Sequence, residues 1–131
     1  MFRGHCCCGF VRYEVHGTPR HSSCCHCSIC RRASAAPFVA WFTVSPPAFR
    51  LVSGELVSFK SSEHATRTFC TRCGTPITFQ STRYPDEIDV TTGSLEDPEL
   101  VPPKAHTYVA SALTWVKLAD ELPVYPDKRP E

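Results

Sequence analysis

Seven of the nine cysteines in this chain fall into three short clusters: Cys6-x-Cys8-Gly9, Cys25-x-Cys27-x-x-Cys30 and Cys70-x-x-Cys73-Gly74. Thiols held this close in sequence either cross-link or bind metal, and both outcomes dictate where the chain must pass. The odd total argues against a complete disulfide framework. The opening Met1-Phe2-Arg3-Gly4-His5 lacks the apolar stretch of a secretory leader, so a reducing, cytosolic setting is expected, where clustered cysteines hold metal.

A Cys-x-x-Cys turn followed by glycine forms a knuckle that aims two thiolates at one ion, with the glycine relieving strain where the loop turns back. Cys70, Cys73 and Gly74 fit this pattern. Structural zinc takes four ligands, so the knuckle needs a second pair, and Cys6 and Cys8 are its natural partners. The closed site would clamp the N-terminal strand to a hairpin in the second half of the chain. Cys25, Cys27 and Cys30 offer three thiolates from one loop with no obvious fourth. An open fourth position is the arrangement of catalytic zinc; Cys24, His26, His21, His64 and His106 are the alternatives that would close it. The expected cofactor is therefore zinc, two ions per chain.

Length and composition set the frame around these sites. A chain of 131 residues with 42% apolar and 21% charged side chains suits one globular domain. Twelve prolines and six glycines spread along it favour many short strands, so the expected class is mainly β. The sequence predicts strands at 10–15, 38–44, 49–52, 56–59, 66–69, 77–79, 88–92 and 115–118, in a mostly antiparallel layout. It also predicts a turn or two of helix at 31–35 ended by Pro37, a short helix at 97–100 opened by Asp97-Pro98, and a mobile polar tail from Pro123. The longest nearly apolar stretch, 35–44, is about half of a membrane span and contains a proline, so no membrane association is expected.

Charge excludes another class. The formal net charge is +1, with 14 basic and 13 acidic residues interspersed rather than gathered on one segment, which is unlike a nucleic-acid binder. Seven metal-bound thiolates and two Zn²⁺ ions would bring that charge to −2. Cys7 and Cys24 are left over. In extended chain each points away from its neighbours' metal, so both read as spare or buried thiols. His5, His16 and His21 read as surface or hydrogen-bonded histidines rather than ligands. Arg31 and Arg32 follow Cys30, where an arginine fork suits the carboxylate of an anionic substrate.

The three clusters in this order, with Cys25-His26-Cys27-Ser28-Ile29-Cys30-Arg31-Arg32 in the middle, resemble the glutathione-dependent formaldehyde-activating enzyme family, the CENP-V/GFA domain. The likeness extends to Ala36-Pro37-Phe38-Val39-Ala40-Trp41, Phe69–Pro76, Gly93–Pro98 and Ala110–Lys117, and covers roughly residues 3–125, leaving 126–131 as a short tail. It implies a single Mss4-like domain of several small curled sheets. It further implies a structural zinc on Cys6, Cys8, Cys70 and Cys73 and a catalytic zinc on Cys25, Cys27 and Cys30. The implied activity is that of a carbon–sulfur lyase joining formaldehyde, or a similar small aldehyde, to the thiol of glutathione. Cys7 and Cys24 extend the family's Cys-x-Cys patterns. The competing expectations are a non-catalytic zinc module for a protein or nucleic-acid partner and a thiol-redox protein using the spare cysteines.

Overall fold

The computed structural model describes residues 1–130. Within them lie ten short strands and one α-helix: β1 (Phe2–His5), β2 (Arg12–Val15), β3 (Arg20–Cys25), α1 (Ser28–Ser34), β4 (Val39–Val44), β5 (Phe49–Ser53), β6 (Leu56–Lys60), β7 (Ala65–Cys70), β8 (Pro76–Ser81), β9 (Ile88–Thr91) and β10 (His106–Thr107). Short 3₁₀ turns fill several connections, among them Pro98–Leu100, whose N-cap Asp97 accepts from the Glu99 amide. None of the helices is long and apolar enough to cross a membrane.

The strands form two sheets. One is three-stranded in the order β1-β2-β5; the other runs β10-β3-β4-β9-β8-β7-β6. Every named pairing is antiparallel except β10 with β3, which sets His106 beside Cys24 and Thr107 beside Cys25. Side chains of a strand alternate between faces, and β4 uses both of its own. Phe42 and Val44 enter the main core with Val11, Tyr13, Val15, Ile77 and Val90, between the two sheets. Trp41 and Thr43 take the opposite face and, with Asp89 and Phe79 from the next two strands, line a cavity. The large sheet thus has one face for stability and one for the cavity.

The predicted strands from β2 to β9, apart from β3, and the predicted helix all form, with shifted ends. The structure adds β1, β3 and β10. β3 reads Arg-His-Ser-Ser-Cys-Cys, without alternation, yet its last four residues are buried because β10 and β4 flank it. Ser22 satisfies its hydroxyl on the Pro102 carbonyl at 3.0 Å. The strand predicted at 115–118 does not form: the chain turns there, with Val116 N–H on Leu113 O, and Trp115 is 67% exposed. No neighbouring strand pairs with that segment, so its apolar pattern has no sheet to join.

The tail expected to be mobile is tied down instead. Its carbonyls at Pro123, Tyr125, Pro126 and Asp127 accept from His106, Val109, Ala110 and Tyr108, and Arg129 reaches Glu87 at 3.3 Å. Backbone groups that pair along their length hold a segment whatever its proline content. Glu131, the last residue of the expected tail, lies outside the described residues.

Candidate metal centres

The Sγ atoms of Cys6, Cys8, Cys70 and Cys73 lie within 4.8 Å of one another. The Cys6–Cys8 and Cys8–Cys70 separations are 3.5 and 3.9 Å, and all nine cysteines are free. A disulfide would need about 2.05 Å. A tetrahedral ion with metal–sulfur bonds of about 2.3 Å needs sulfurs about 3.8 Å apart, a value those two separations bracket. Two matching loops build the cluster. Gly9 and Gly74 close them with φ of 80° and 79°, and their amides return to the Cys6 and Cys70 carbonyls. Backbone N–H groups point at the sulfurs: Val11 at Cys6, Arg72 and Cys73 at Cys70, at 3.2 to 3.4 Å.

These loops also clasp each other without a metal. The Arg72 guanidinium sits 3.7 Å from the centroid of the Phe10 ring, and the Cys7 amide donates to Thr75 Oγ1 at 3.0 Å. Thr75 turns the same hydroxyl toward Cys73 Sγ at 3.2 Å; that hydroxyl and the Thr75 amide push the Cys73 thiol down to about 5. Cys7 is exposed.

The Sγ atoms of Cys25, Cys27 and Cys30 form the second cluster, again within 4.8 Å. Cys25 ends β3, Cys27 is the N-cap of α1, and Cys30 lies in its first turn. The Cys27 sulfur accepts from the Cys30 amide at 3.2 Å, the bond a serine or aspartate makes at an ordinary N-cap. The three sulfurs share protons unequally. Hydrogen bonds from Cys25 and then Cys30 drive Cys27 toward thiolate, while the bond to Cys27, the bond to Cys30 and burial push Cys25 up. Three sulfurs at this spacing form a donor set that suits a soft divalent metal.

A cavity of about 640 Å³ opens on Cys25, Cys27 and Cys30. Trp41 and Phe79 give it an apolar floor, and its lining carries both signs of charge, Arg67, Arg83, Lys128 and Arg129 beside Glu63, Glu87 and Asp89, with Arg129 paired to Glu87. Arg67 is 8% exposed; its Nη2 donates to Cys30 Sγ at 3.5 Å and its Nε to Ser61 Oγ at 3.1 Å. Its guanidinium lies 5.0 Å from the Phe79 ring centroid and 6.0 Å from that of Trp41. Asp89, at the floor, accepts from Thr43 Oγ1 at 2.6 Å; burial raises its carboxyl to about 6, partly offset by that bond. Tyr108 also lines the cavity, in a left-handed conformation with φ of 55°, held there by its amide on Asp127 O. Burial, and next the charges of Cys25 and Cys27, raise its phenol.

No fourth His, Cys, Asp or Glu joins this cluster among the described residues. Each alternative is occupied elsewhere or turned away. Cys24 is buried on the other face of β3, its thiol raised to about 11 by burial and then by Asp120. His64 bonds Thr82 at 2.9 Å, and His21 lies on the cavity wall outside the cluster. His26 Nε2 is 2.9 Å from His106 Nδ1, and His106 Nε2 is 2.8 Å from Asp120 Oδ2. A carboxylate only accepts, so His106 donates to Asp120 from Nε2, and its Nδ1 shares the second hydrogen bond with His26 Nε2. This buried chain anchors the cysteine loop from behind and leaves His26 Nδ1 without a partner.

Arg31 and Arg32 are not brought to the cavity. They continue α1 past Cys30 onto its outer side, where they line a separate shallow hollow with Leu113 and Trp115. Only Cys30 is buried on this helix. The residues that sequence reasoning missed are Arg67, Asp89, Tyr108 and the tail's Lys128 and Arg129. An arginine between Ala65 and Phe69 at alternate positions of a predicted strand was the signal for Arg67; the others carry none that is local.

A profile of the family described as glutathione-dependent formaldehyde-activating enzyme matches residues 1–111. Over 81 residues the chain is 31% identical to an uncharacterized lyase of Schizosaccharomyces pombe, which is 62% of this chain and 58% of that protein, so the match spans less than two thirds of the relative. A crystal structure of a Rhodobacter sphaeroides protein superposes with a TM-score of 0.66 at 28% identity, covering 80% of this chain and 99% of the other.

Proposed function

Because the chain belongs to the glutathione-dependent formaldehyde-activating enzyme family, we propose that it is a zinc-dependent carbon–sulfur lyase acting on the adduct of a thiol with a small aldehyde. Glutathione and formaldehyde are the substrates proposed, in a cytosolic setting. The observation that carries the reading is the contrast in completeness: three sulfurs open on a cavity, whereas four close on themselves. Cys6, Cys8, Cys70 and Cys73 would hold a structural zinc, and Cys25, Cys27 and Cys30 a catalytic one. When bound at the open cluster, zinc supplies Lewis acidity that favours the thiolate form of a substrate thiol.

The rest falls to the chain's own side chains. In the forward direction a bond forms between the thiol sulfur and the aldehyde carbon, the carbonyl pair moves to oxygen, and the thiol proton ends on that oxygen. The reverse breaks the same carbon–sulfur bond. Trp41 and Phe79 keep water from the reacting sulfur side of the cavity. The Tyr108 hydroxyl, near enough to the three cysteines to feel their charge, donates to the oxygen of the adduct. Arg83 and Lys128 on the wall hold the carboxylates of glutathione. Arg31 and Arg32, first expected in that role, line the other hollow.

The test is exchange spectroscopy on glutathione and ¹³C-formaldehyde at equilibrium, since the uncatalysed addition hides simple rate assays. The zinc-loaded protein should speed interconversion of free and thiol-bound formaldehyde. Loaded protein that leaves the exchange rate at its buffer value overturns the activity.

A further inference from the structure

Arg67 is a buried cation for which thiol addition alone gives no reason. Its strand, β7, places it opposite Phe79, and its guanidinium plane is held by Phe79, Trp41 and Ser61. The side chain has five N–H donors, of which one meets Ser61 Oγ and one meets Cys30 Sγ. The remaining edge belongs to the cavity lining. Holding a guanidinium at 8% exposure is costly unless a negative charge stands next to it. Among the groups it touches, the sulfur of Cys30 would supply that charge once a metal holds it as thiolate.

A divalent ion bound by three thiolates carries one net negative charge. An anionic fourth ligand is therefore repelled by the site it must enter, whereas a neutral one is not. We infer that Arg67 sets the ligand preference of the Cys25–Cys27–Cys30 centre, cancelling its excess negative charge so that the fourth position takes an anion, a substrate thiolate above all, in preference to a neutral donor. Its charge acts through a hydrogen bond to Cys30 Sγ, which withdraws electron density from the metal, and through space across the cavity. A guanidinium 5.0 Å from the Phe79 ring centroid and 6.0 Å from that of Trp41, with its fork on sulfur and serine, suits arginine and not lysine. This rests on the reading of the three cysteines as metal ligands, and the test separates the two.

Protein loaded with cobalt(II) in place of zinc gives thiolate-to-metal charge-transfer bands and ligand-field bands that report each cluster. Wild type, Arg67→Met and Arg67→Lys are titrated with azide, with 2-mercaptoethanol at alkaline pH as a simple thiolate, and with imidazole as a neutral ligand. In Arg67→Met, binding of azide and thiolate should weaken by at least about tenfold while imidazole binds as before. Arg67→Lys should restore part of the anion affinity and leave the charge-transfer band of wild type shifted. Equal weakening toward all three ligands would show that Arg67 merely supports the fold, and unchanged anion affinity would show that it has no electrostatic role; either overturns the inference. Failure of wild type to give a second set of cobalt–thiolate bands would overturn the three-cysteine metal centre, and this inference with it.

Discussion

The two cysteine clusters use the same donor atom at the same spacing, yet one joins two loops far apart in sequence and the other opens on a cavity. The first draws two ligands from each of two loops far apart in sequence, Cys6–Gly9 and Cys70–Gly74, and its fourth sulfur is already present. The second draws all three from one strand end and one helix turn, and the shell stops there. Where the ligands come from decides what a metal does to the chain. A site that joins distant segments stabilises the fold, because binding closes a long loop; a site within one loop orders little and can be left incomplete. The surroundings agree. Backbone amides and an arginine stacked on Phe10 back the closed cluster, whereas a buried guanidinium, two aromatic rings and a raised carboxyl face the open one.

The contrast breaks most visibly when a ligand is removed from each side. Cys70→Ser should cost on the order of 10 kcal/mol of metal-linked stability, comparable to a whole domain's, and leave the chain unfolded or molten by circular dichroism. Should Cys70→Ser melt within a few degrees of wild type, the clamp is not structural. Cys30→Ser should retain cooperative unfolding, fall from two zincs per chain to one by elemental analysis, and lose exchange activity on the order of a thousandfold. A Cys30→Ser protein that no longer folds would erase the distinction between the two clusters.

Two smaller changes sharpen it. Asp89 titrates at about 6 in the fold against 3.8 in the unfolded chain, so between those values the folded state holds more proton and stability falls as pH rises. Asp89→Asn keeps the Thr43 hydrogen bond and should gain up to about 3 kcal/mol at pH 7, the gain vanishing below about pH 4. Denaturant midpoints across that range read it directly, and a gain independent of pH would point to packing instead. On the clamp side, Tyr13 Oη lies 2.6 Å from Ser94 Oγ in the core. Tyr13→Phe should cost about 1 kcal/mol with zinc content and exchange rate unchanged.

Much of this organisation was legible in the cysteine pattern. The knuckle glycine at 74 and the pairing of 6 and 8 with 70 and 73 follow from ligand counting alone, and the strands that alternate or run apolar, such as β2 and β4, are those that periodicity finds. β3 was hidden because a central strand whose burial comes from neighbours on both sides needs no alternation of its own. The cavity was hidden for a related reason. Trp41, Arg67, Phe79 and Asp89 share a face only once β4, β9, β8 and β7 are in register, a long-range fact that no local spacing carries. Arg31 and Arg32 show the converse: adjacency to Cys30 in sequence did not place them on the cavity, because the helix rotates about 100° per residue.

X-ray absorption at the zinc edge, on protein of measured metal content before and after glutathione is added, tests the closed-and-open pair most directly. Two zincs per chain averaging about 3.5 sulfurs each, rising to about 4 with glutathione, is the result expected of one complete shell and one that accepts a thiolate. A single zinc per chain, or two that hold four sulfurs before any thiol is added, would contradict it.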